Sequence, residues 1–313
     1  MSPRELALVL LSALLHAVWS VSIKGSRDPL AFNVLQLTTT LAGACALPWL
    51  APLAAIPAAV WAFVAGTGMA HGLYFYWLSR ALGSADLSVV YPIARSAPAF
   101  MPLVAVPLLG ESISLRGATG IAIVVVGMWA VQWGAAPGRE RPADELRSAS
   151  PRCARRLGRR LRRFTAPGTG FAYLTLAASV GYSLFDKAAM VRLGALSWRA
   201  WVPPAVVYYF LLGTSATLVF GPLAARRLTL AGLAAVARHE WATALAASLV
   251  SFASYGLILD ALRTAPVSYV VTARQTSVLF TVALGALWLH ERPSRLRVLG
   301  ALATVAGVAL VAS

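Results

Sequence analysis

Charged residues are scarce in this chain of 313 residues: Asp, Glu, Lys and Arg together make up 12% of it. A soluble globular protein contains about 25%. Two lysines and 11 acidic residues stand against 25 arginines, and hydrophobic residues account for 59%. This composition excludes a soluble enzyme with one hydrophobic anchor. The apolar runs are uninterrupted, which excludes an outer-membrane barrel because barrel strands alternate in polarity.

Cysteine is nearly absent, and the two present, Cys45 and Cys153, lie in an apolar run and in an arginine-rich stretch. A disulfide framework or a structural zinc site needs several well-spaced ligands. The sequence also contains no glycine-rich phosphate loop and no nucleophile with an adjacent base. We therefore expect no metal, no cofactor and no enzymatic activity.

Ten apolar segments, each about long enough for a helix that crosses the bilayer, follow one another along the chain. They fall into two groups of five on either side of residues 135–166, which hold ten arginines and three acids. We predict an all-α integral membrane protein with a repeat at 1–134, a linker at 135–166 and a repeat at 167–313. The predicted spans are residues 5–23, 30–52, 57–79, 85–108, 113–134, 168–191, 200–221, 241–262, 266–289 and 295–312.

Within the linker, Leu157, Leu161 and Phe164 fall on one helical face, and arginines occupy the others. This pattern predicts a basic amphipathic helix over 152–164 on anionic lipid headgroups. A disordered basic tether is the alternative. Nucleic acid is not an expected partner, because no aromatic or folded module accompanies the arginines.

The two halves of the chain are copies of each other. A shift of 180 residues places Ala81 on Ala261, Glu111 on Glu291, Gly120 on Gly300 and Gly127 on Gly307. Near the start of each half a shift of 163 places Trp19 on Tyr182 and Lys24 on Lys187, so the two lysines of the chain occupy matched positions. Because each copy has five spans, the second enters the membrane from the opposite side. Such inverted repeats are typical of secondary transporters, whose substrate site lies between the repeats near the midplane.

Several short segments of the two halves form a recognisable pattern. They are Trp19-Ser20 with Lys24, the run from Tyr74 to Ala85, Leu109 to Glu111, Ala261-Leu262, His290 to Arg292, Gly300 and Gly307. On these segments the chain resembles ten-span members of the drug/metabolite transporter superfamily that contain two EamA-type domains. The resemblance implies a transporter of small metabolites. More narrowly, His16 to Trp19 and Tyr91 to Pro98 resemble a branch associated with phosphonate utilisation.

Two arginines lie inside predicted spans, Arg95 in the fourth and Arg274 in the ninth, and these spans are matched elements of the repeats. In the 180-residue register Arg95 falls on Gln275, one position from Arg274. Charges within the membrane require partners or a wet cavity. Two guanidinium groups beside one cavity would favour an anionic substrate. The alternative is that each pairs with an internal acid or with carbonyls at a helix end.

Further candidates for substrate binding lie on several spans. Lys24 and Lys187 end the first and sixth spans, where a simple boundary lysine is the alternative. His16 and His71 lie inside spans and either relay protons or serve packing. The aromatic residues could line the cavity or belong to an interface belt; they are Trp19, Tyr74, Tyr76, Tyr91, Tyr182, Tyr255 and Tyr269.

The acidic residues allow two roles. Asp186 and Asp260 could couple transport to protons, although ion pairing at a helix end is the favoured reading. Glu111 and Glu291 follow spans at matched short loops and are interpreted as loop or helix-start groups. Pro92 and Pro98 flank Arg95, which makes the fourth span the leading candidate for the wall of the pathway.

The basic residues also predict an orientation. Loops on the side of the linker hold 19 of them and the other side holds six, so the positive-inside rule places the linker in the cytoplasm and both termini outside. The sequence therefore predicts a secondary transporter in a bacterial inner membrane that moves a small anionic or zwitterionic metabolite by alternating access. The alternative functions are a membrane sensor or scaffold that acts through the linker, and a channel. The sequence is also compatible with a homodimer.

Overall fold

The first half of the chain is a set of helices whose ends follow recognisable signals. The structure, a computed structural model, describes residues 1–24, 26–84, 87–133, 169–196, 202–288 and 293–313. Asp28 caps α2 by accepting hydrogen bonds from the backbone N–H groups of Leu30 and Ala31, as expected at an N-cap. Gly110 ends α6 at φ 66°, a left-handed conformation that glycine adopts without strain. The helices are α1 Pro3–Lys24, α2 Pro29–Ala44, α3 Leu47–Leu50, α4 Ala58–Ser84, α5 Leu87–Ala94, α6 Ala97–Leu109 and α7 Leu115–Trp133.

The second half repeats this order. Thr229 and Ser294 cap two of its helices through their hydroxyl groups. The helices are α8 Gly170–Gly194, α9 Pro204–Ala225, α10 Leu230–Leu262, α11 Val267–Ala273, α12 Ser277–Trp288 and α13 Arg295–Ala312. The described residues contain helices and no strand.

The apolar character of these helices is that of a membrane protein. Six helical stretches among the described residues are long and apolar enough to cross a bilayer: Val89–Leu109, Leu115–Gln132, Pro204–Ala225, Leu230–Leu262, Val267–Leu284 and Arg295–Ala312. α2 contributes a shorter apolar stretch, Leu30–Ala44. The long helices α1, α4 and α8 belong to the same bundle and carry His16, His71 and Asp186. The predicted all-α membrane fold is confirmed. Residues 135–166, the predicted linker with its basic helix, lie outside the described residues.

The repeats run in opposite directions, as the crossing of α7 and α13 shows. A Cβ added at Gly120 would lie 2.6 Å from the carbonyl oxygen of Gly307, and one added at Gly127 would lie 2.6 Å from that of Gly300. In the repeat register, however, Gly120 corresponds to Gly300 and Gly127 to Gly307. Corresponding helices therefore cross antiparallel, as an inverted repeat requires.

The two halves are interlocked. α4 of the first half packs against α8 and α9, and its counterpart α10 packs against α1 and α2. α2 packs against its own counterpart α9, and α7 against α13. When each helix is replaced by its counterpart in the other half, these contacts map onto one another. A pseudo-two-fold axis therefore relates the two halves.

The fourth and ninth spans are broken in the middle. The prolines of the fourth span predict a bend there, whereas no such signal in the sequence predicts the break in the ninth. In the first half, α5 ends at Ala94 and α6 begins at Ala97. Pro98 explains this break, because a proline ring clashes with the carbonyl four residues earlier and leaves it without a donor. The ninth span has no proline at its break, and the chain there instead tightens into a 3-10 turn over Arg274–Thr276. Both predicted arginines thus lie at a break between two short helices.

Two ends of the bundle can be distinguished by the residues that meet there. The N-terminal end contains the start of α1, the α6–α7 loop with Glu111, and the α10–α11 loop with Ala265. The linker end contains the ends of α1, α4 and α7 and the start of α8. At the N-terminal end Glu111 accepts hydrogen bonds from the backbone N–H of Val267 and from the backbone N–H (3.2 Å) and hydroxyl (2.7 Å) of Ser268. A carboxylate at a helix start is stabilised there, in agreement with the role expected for Glu111.

Candidate functional site

A cavity of about 380 Å³ lies between the two halves. α1, α2, α4, α5 and α6 of the first half contribute residues to its wall, and so do α8 to α12 and the 3-10 turn of the second half. Its lining residues on α1 and α4 lie in the half of each helix nearer the linker end. Ten of the residues singled out in the sequence line it: His16, Trp19, His71, Tyr74, Tyr91, Arg95, Tyr182, Tyr255, Arg274 and Gln275.

The two arginines reach this cavity from opposite repeats. The helix breaks place them there, since each follows the last turn of a short helix, α5 or α11. Both side chains are partly buried. Among the described residues, no carboxylate lies within 4.0 Å of either guanidinium group. Their neighbours are aromatic: the Arg95 Cζ lies 6.0 Å from the centre of the Tyr91 ring, and the Arg274 Cζ lies 5.2 Å from that of Tyr255.

Two groups of contacting aromatic rings line the cavity. His71 stacks on Tyr182 at 3.9 Å between ring centres, and Tyr74 meets Tyr182 edge to face at 5.8 Å. His16 stacks on Trp19 at 5.1 Å. Stacked and edge-to-face rings hold one another in place, so the cavity has fixed aromatic faces beside its two cations.

A polar stripe completes the wall, and it was not predicted. Gln36 of α2 accepts a hydrogen bond from the Trp19 indole N–H at 3.3 Å. Its Nε2 is buried and has no hydrogen-bond partner among the described residues. A buried amide donor without a partner is costly, so this group is suited to a ligand oxygen. The sequence pattern that could have predicted this polar stripe is the helical spacing of Asn33, Gln36 and Thr40 on an apolar helix.

Asp186 lies behind this wall and is fully buried. Its Oδ1 accepts hydrogen bonds from the hydroxyl groups of Thr67 (2.6 Å) and Tyr208 (3.0 Å), and its Oδ2 accepts one from Tyr255. The expected ion pair at a helix end is therefore wrong for Asp186, because α8 continues to Gly194 and keeps the carboxylate well inside the bundle. Asp260 behaves as expected and pairs with Arg4 and Arg263 at the N-terminal end.

The lysines differ from the other predicted site residues. Lys187 does not line the cavity: its Nζ donates hydrogen bonds to the backbone carbonyls of Leu262 (2.9 Å) and Ala265 (2.8 Å). Its long side chain can reach the carbonyls that the end of α10 leaves free, which is a structural role. The side chain of Lys24 lies outside the described part of the chain. Tyr269, a further aromatic candidate, bonds to Ser114 outside the cavity.

The architecture defines the class of protein: an integral membrane protein of two inverted repeats that enclose a central cavity, as in secondary transporters. The sequence profile of the EamA-like transporter family matches residues 4–133 and 170–313. The chain belongs to this family and is a membrane transporter of small molecules. No curated protein matches the sequence.

Solved structures share the fold. One crystal structure superposes with a TM-score of 0.66 at 17% sequence identity, and the match covers 99% of this chain and 96% of the other. At this identity the likeness concerns the fold alone, so the role of the cavity has to be argued from the residues that line it.

Proposed function

We propose that the protein transports a small organic anion or zwitterion and that Arg95 and Arg274 hold its anionic group. One observation carries this proposal: two guanidinium groups from equivalent helix breaks of opposite repeats face one cavity, and no carboxylate of the described residues pairs with them. A charge inside the membrane is costly unless it is compensated. A carboxylate or phosphonate supplies that compensation and matches the paired N–H donors of a guanidinium.

The remaining wall suits the rest of such a molecule. A volume of about 380 Å³ lies within the range of small-ligand sites, about 300–1,000 Å³. Trp19, Tyr74 and Tyr182 offer apolar faces, and the Nε2 of Gln36 offers a donor to a second oxygen. Gln275 and His16 stand beside the arginines in the same wall.

Alternating access is the proposed mechanism. The halves are related by a pseudo-two-fold axis but differ in the local form of their broken helices, α5–α6 and α11–α12. Exchanging these conformations between the halves would move the opening of the cavity from one side to the other. The present conformation, in which Glu111 bonds to the start of α11 at the N-terminal end, would be one of the two states.

Matched pairs of anion and neutral analogue test this function. We expect benzoate and phenylphosphonate to raise the Tm of the purified protein, whereas benzamide, which has the shape of benzoate without its charge, leaves it unchanged. An anion present at about 100 times its Kd stabilises the folded state by about 2.7 kcal/mol. In proteoliposomes the same anion should show saturable counterflow, which a simple pore does not. Equal effects of benzoate and benzamide would contradict the charge-based proposal.

We further propose that the chain lies in a bacterial inner membrane with the linker in the cytoplasm and both termini outside. The basic residues on the linker side support this orientation. The two cysteines allow a direct measurement, because Cys45 follows α2 and is exposed and belongs to the N-terminal end, whereas Cys153 belongs to the linker.

Single-cysteine variants in spheroplasts report the orientation. With a membrane-impermeant maleimide, we expect C153S, which retains Cys45, to be labelled at once. C45S, which retains Cys153, should be labelled only after the membrane is permeabilised. The reverse pattern would place the linker outside.

A further inference from the structure

Asp186 is a buried carboxylate without a cationic partner. Among the described residues no basic group lies within 4.0 Å of it, and the adjacent Lys187 points away to the carbonyls of Leu262 and Ala265. Three hydroxyl groups from three different helices, α4, α9 and α10, bind it instead. A carboxylate held only by neutral donors can exist in the charged and in the protonated form, because neither form leaves a buried cation unpaired.

The titratable groups around Asp186 are few. Its own helix α8 carries Tyr182, which faces the cavity, and Lys187. From α4 comes His71; from α9 come Tyr208 and Tyr209. Tyr255 of α10 donates to the carboxylate while its ring lies against Arg274 at 5.2 Å. Arg274 is therefore the cation that is connected to Asp186, through the Tyr255 phenol.

We propose that Asp186 is a proton-binding site and that its protonation is coupled to the binding of the transported anion. This inference rests on the proposed function. The carboxylate and the substrate anion compete for the positive charge of Arg274. A proton on Asp186 removes this competition, so proton and anion favour each other's binding. Coupling of this kind is reciprocal, and it makes the protein a symporter of one proton with one anion.

Hydrogen bonds provide a route for the proton from the cavity. His71 lines the cavity, and its Nδ1 lies 3.1 Å from the Thr67 carbonyl oxygen and 3.2 Å from the Thr67 hydroxyl oxygen. A carbonyl only accepts, so this geometry assigns the hydrogen to Nδ1. The Thr67 hydroxyl donates onward to Asp186 at 2.6 Å.

The transfer balances along this chain of three groups. His71 Nε2 takes a proton from cavity water as Nδ1–H passes its proton to the Thr67 hydroxyl, which passes its own to Asp186 Oδ1. One proton enters and one arrives. Thr67 then donates to the bare Nδ1, and the protonated carboxyl donates to the Thr67 hydroxyl.

Protonation also changes the link to the substrate site. Hydrogen bonds to an ionised acceptor are about twice as strong as those to a neutral one. When Asp186 becomes neutral, the bond from Tyr255 weakens and the Tyr255 ring is released from its fixed position against Arg274. The guanidinium group is then free to turn fully toward an anion in the cavity.

A ligand-free titration tests the proton site. Infrared difference spectra of the full-length protein across its range of stable pH should contain the carbonyl stretch of a protonated carboxyl group. This band should be missing in D186N and present in D260N, which changes a carboxylate at the N-terminal end. A band that persists in folded D186N, or no band in the wild type, would overturn the proposal.

A second pair of variants tests the same site independently, in case D186N does not fold. T67V removes a donor to the carboxylate and should move the midpoint of the titration, and T67S should restore it. An unchanged midpoint in T67V would contradict the role of Thr67.

Benzoate, which stays ionised near neutral pH, is the probe for coupling. Its affinity, measured by thermal shift, should rise about tenfold for each unit that the pH falls above the midpoint of the Asp186 titration. In D186N the affinity should be the same at each pH. Retention of the wild-type pH dependence in D186N would refute the coupling. Absence of benzoate binding to either protein would count against the proposed anion transport and hence against the coupling, and the infrared result would still decide the proton site.

Discussion

Gly127→Ala is expected to destabilise the protein strongly, although it adds one methyl group. The new Cβ would lie 2.6 Å from the Gly300 carbonyl oxygen and 2.8 Å from the backbone N of Thr304. These are backbone atoms of α13, so no rotation of a side chain can relieve the overlap. Overpacking a core costs about 1–3 kcal/mol, and we expect the upper end, with a fall in Tm of roughly 10 °C. Thermal unfolding in detergent, followed by size-exclusion chromatography, measures it.

A matched control is available on another membrane helix. Gly221 of α9 has no atom within 4 Å of an added Cβ, so Gly221→Ala should leave the Tm unchanged or raise it slightly, since alanine favours a helix. The axis relates Gly127 to Gly307, where an added Cβ would lie 2.7 Å from the carbonyl oxygen of Gly120, so Gly307→Ala should cost about as much as Gly127→Ala. Similar Tm values for Gly127→Ala and Gly221→Ala would show that α7 and α13 do not cross as described.

Arg274→Gln and Arg95→Gln are each expected to weaken the binding of benzoate by about 10-fold to 150-fold. A hydrogen bond to a charged group contributes about 1.5–3 kcal/mol, which corresponds to that range. Glutamine keeps a polar donor and much of the length, so the loss reports the charge. Isothermal titration or thermal shift of purified variants provides the affinities.

Arg192→Gln is the control for these two variants. The Arg192 Cζ lies 4.8 Å from the Phe63 ring centre, and the side chain does not line the cavity. We expect its benzoate affinity to equal that of the wild type. If Arg95→Gln and Arg274→Gln reduced the binding of a neutral cavity ligand as much as that of benzoate, their effect would be on the shape of the site and not on charge recognition.

The membrane helices and the correspondence between the two halves could be predicted, because long apolar segments and an internal repeat can be recognised in the sequence alone. The breaks at Arg95 and Arg274 could be predicted only in part. Pro92 and Pro98 signalled a distortion of the fourth span, but the ninth has no proline at its break. Its 3-10 turn depends on packing against α1 and α13, which a local pattern does not contain.

The residues of the candidate site could likewise be predicted only in part. Arg95 and Arg274 were found because a charge inside an apolar span is conspicuous and because the repeats match them. Lys187 satisfied the same criteria, yet its side chain binds carbonyls of α10, a contact between residues far apart in sequence. Asp186 was expected to form an ion pair at a helix end because it adjoins Lys187, which was placed at the end of the sixth span. Its three hydroxyl partners come from three other helices and become neighbours only in the folded bundle.

The interlocking of the halves has a consequence for the synthesis of the protein. The main partners of α1, α2 and α4 lie in the second half, so these helices leave the ribosome before their partners exist. Until α8 to α10 arrive, Thr67 and His71 lack the groups that bind them in the finished protein. A nascent chain that stops after α7 therefore carries polar side chains that have no partners and face lipid. We expect the insertion machinery to keep these side chains away from lipid until translation is complete.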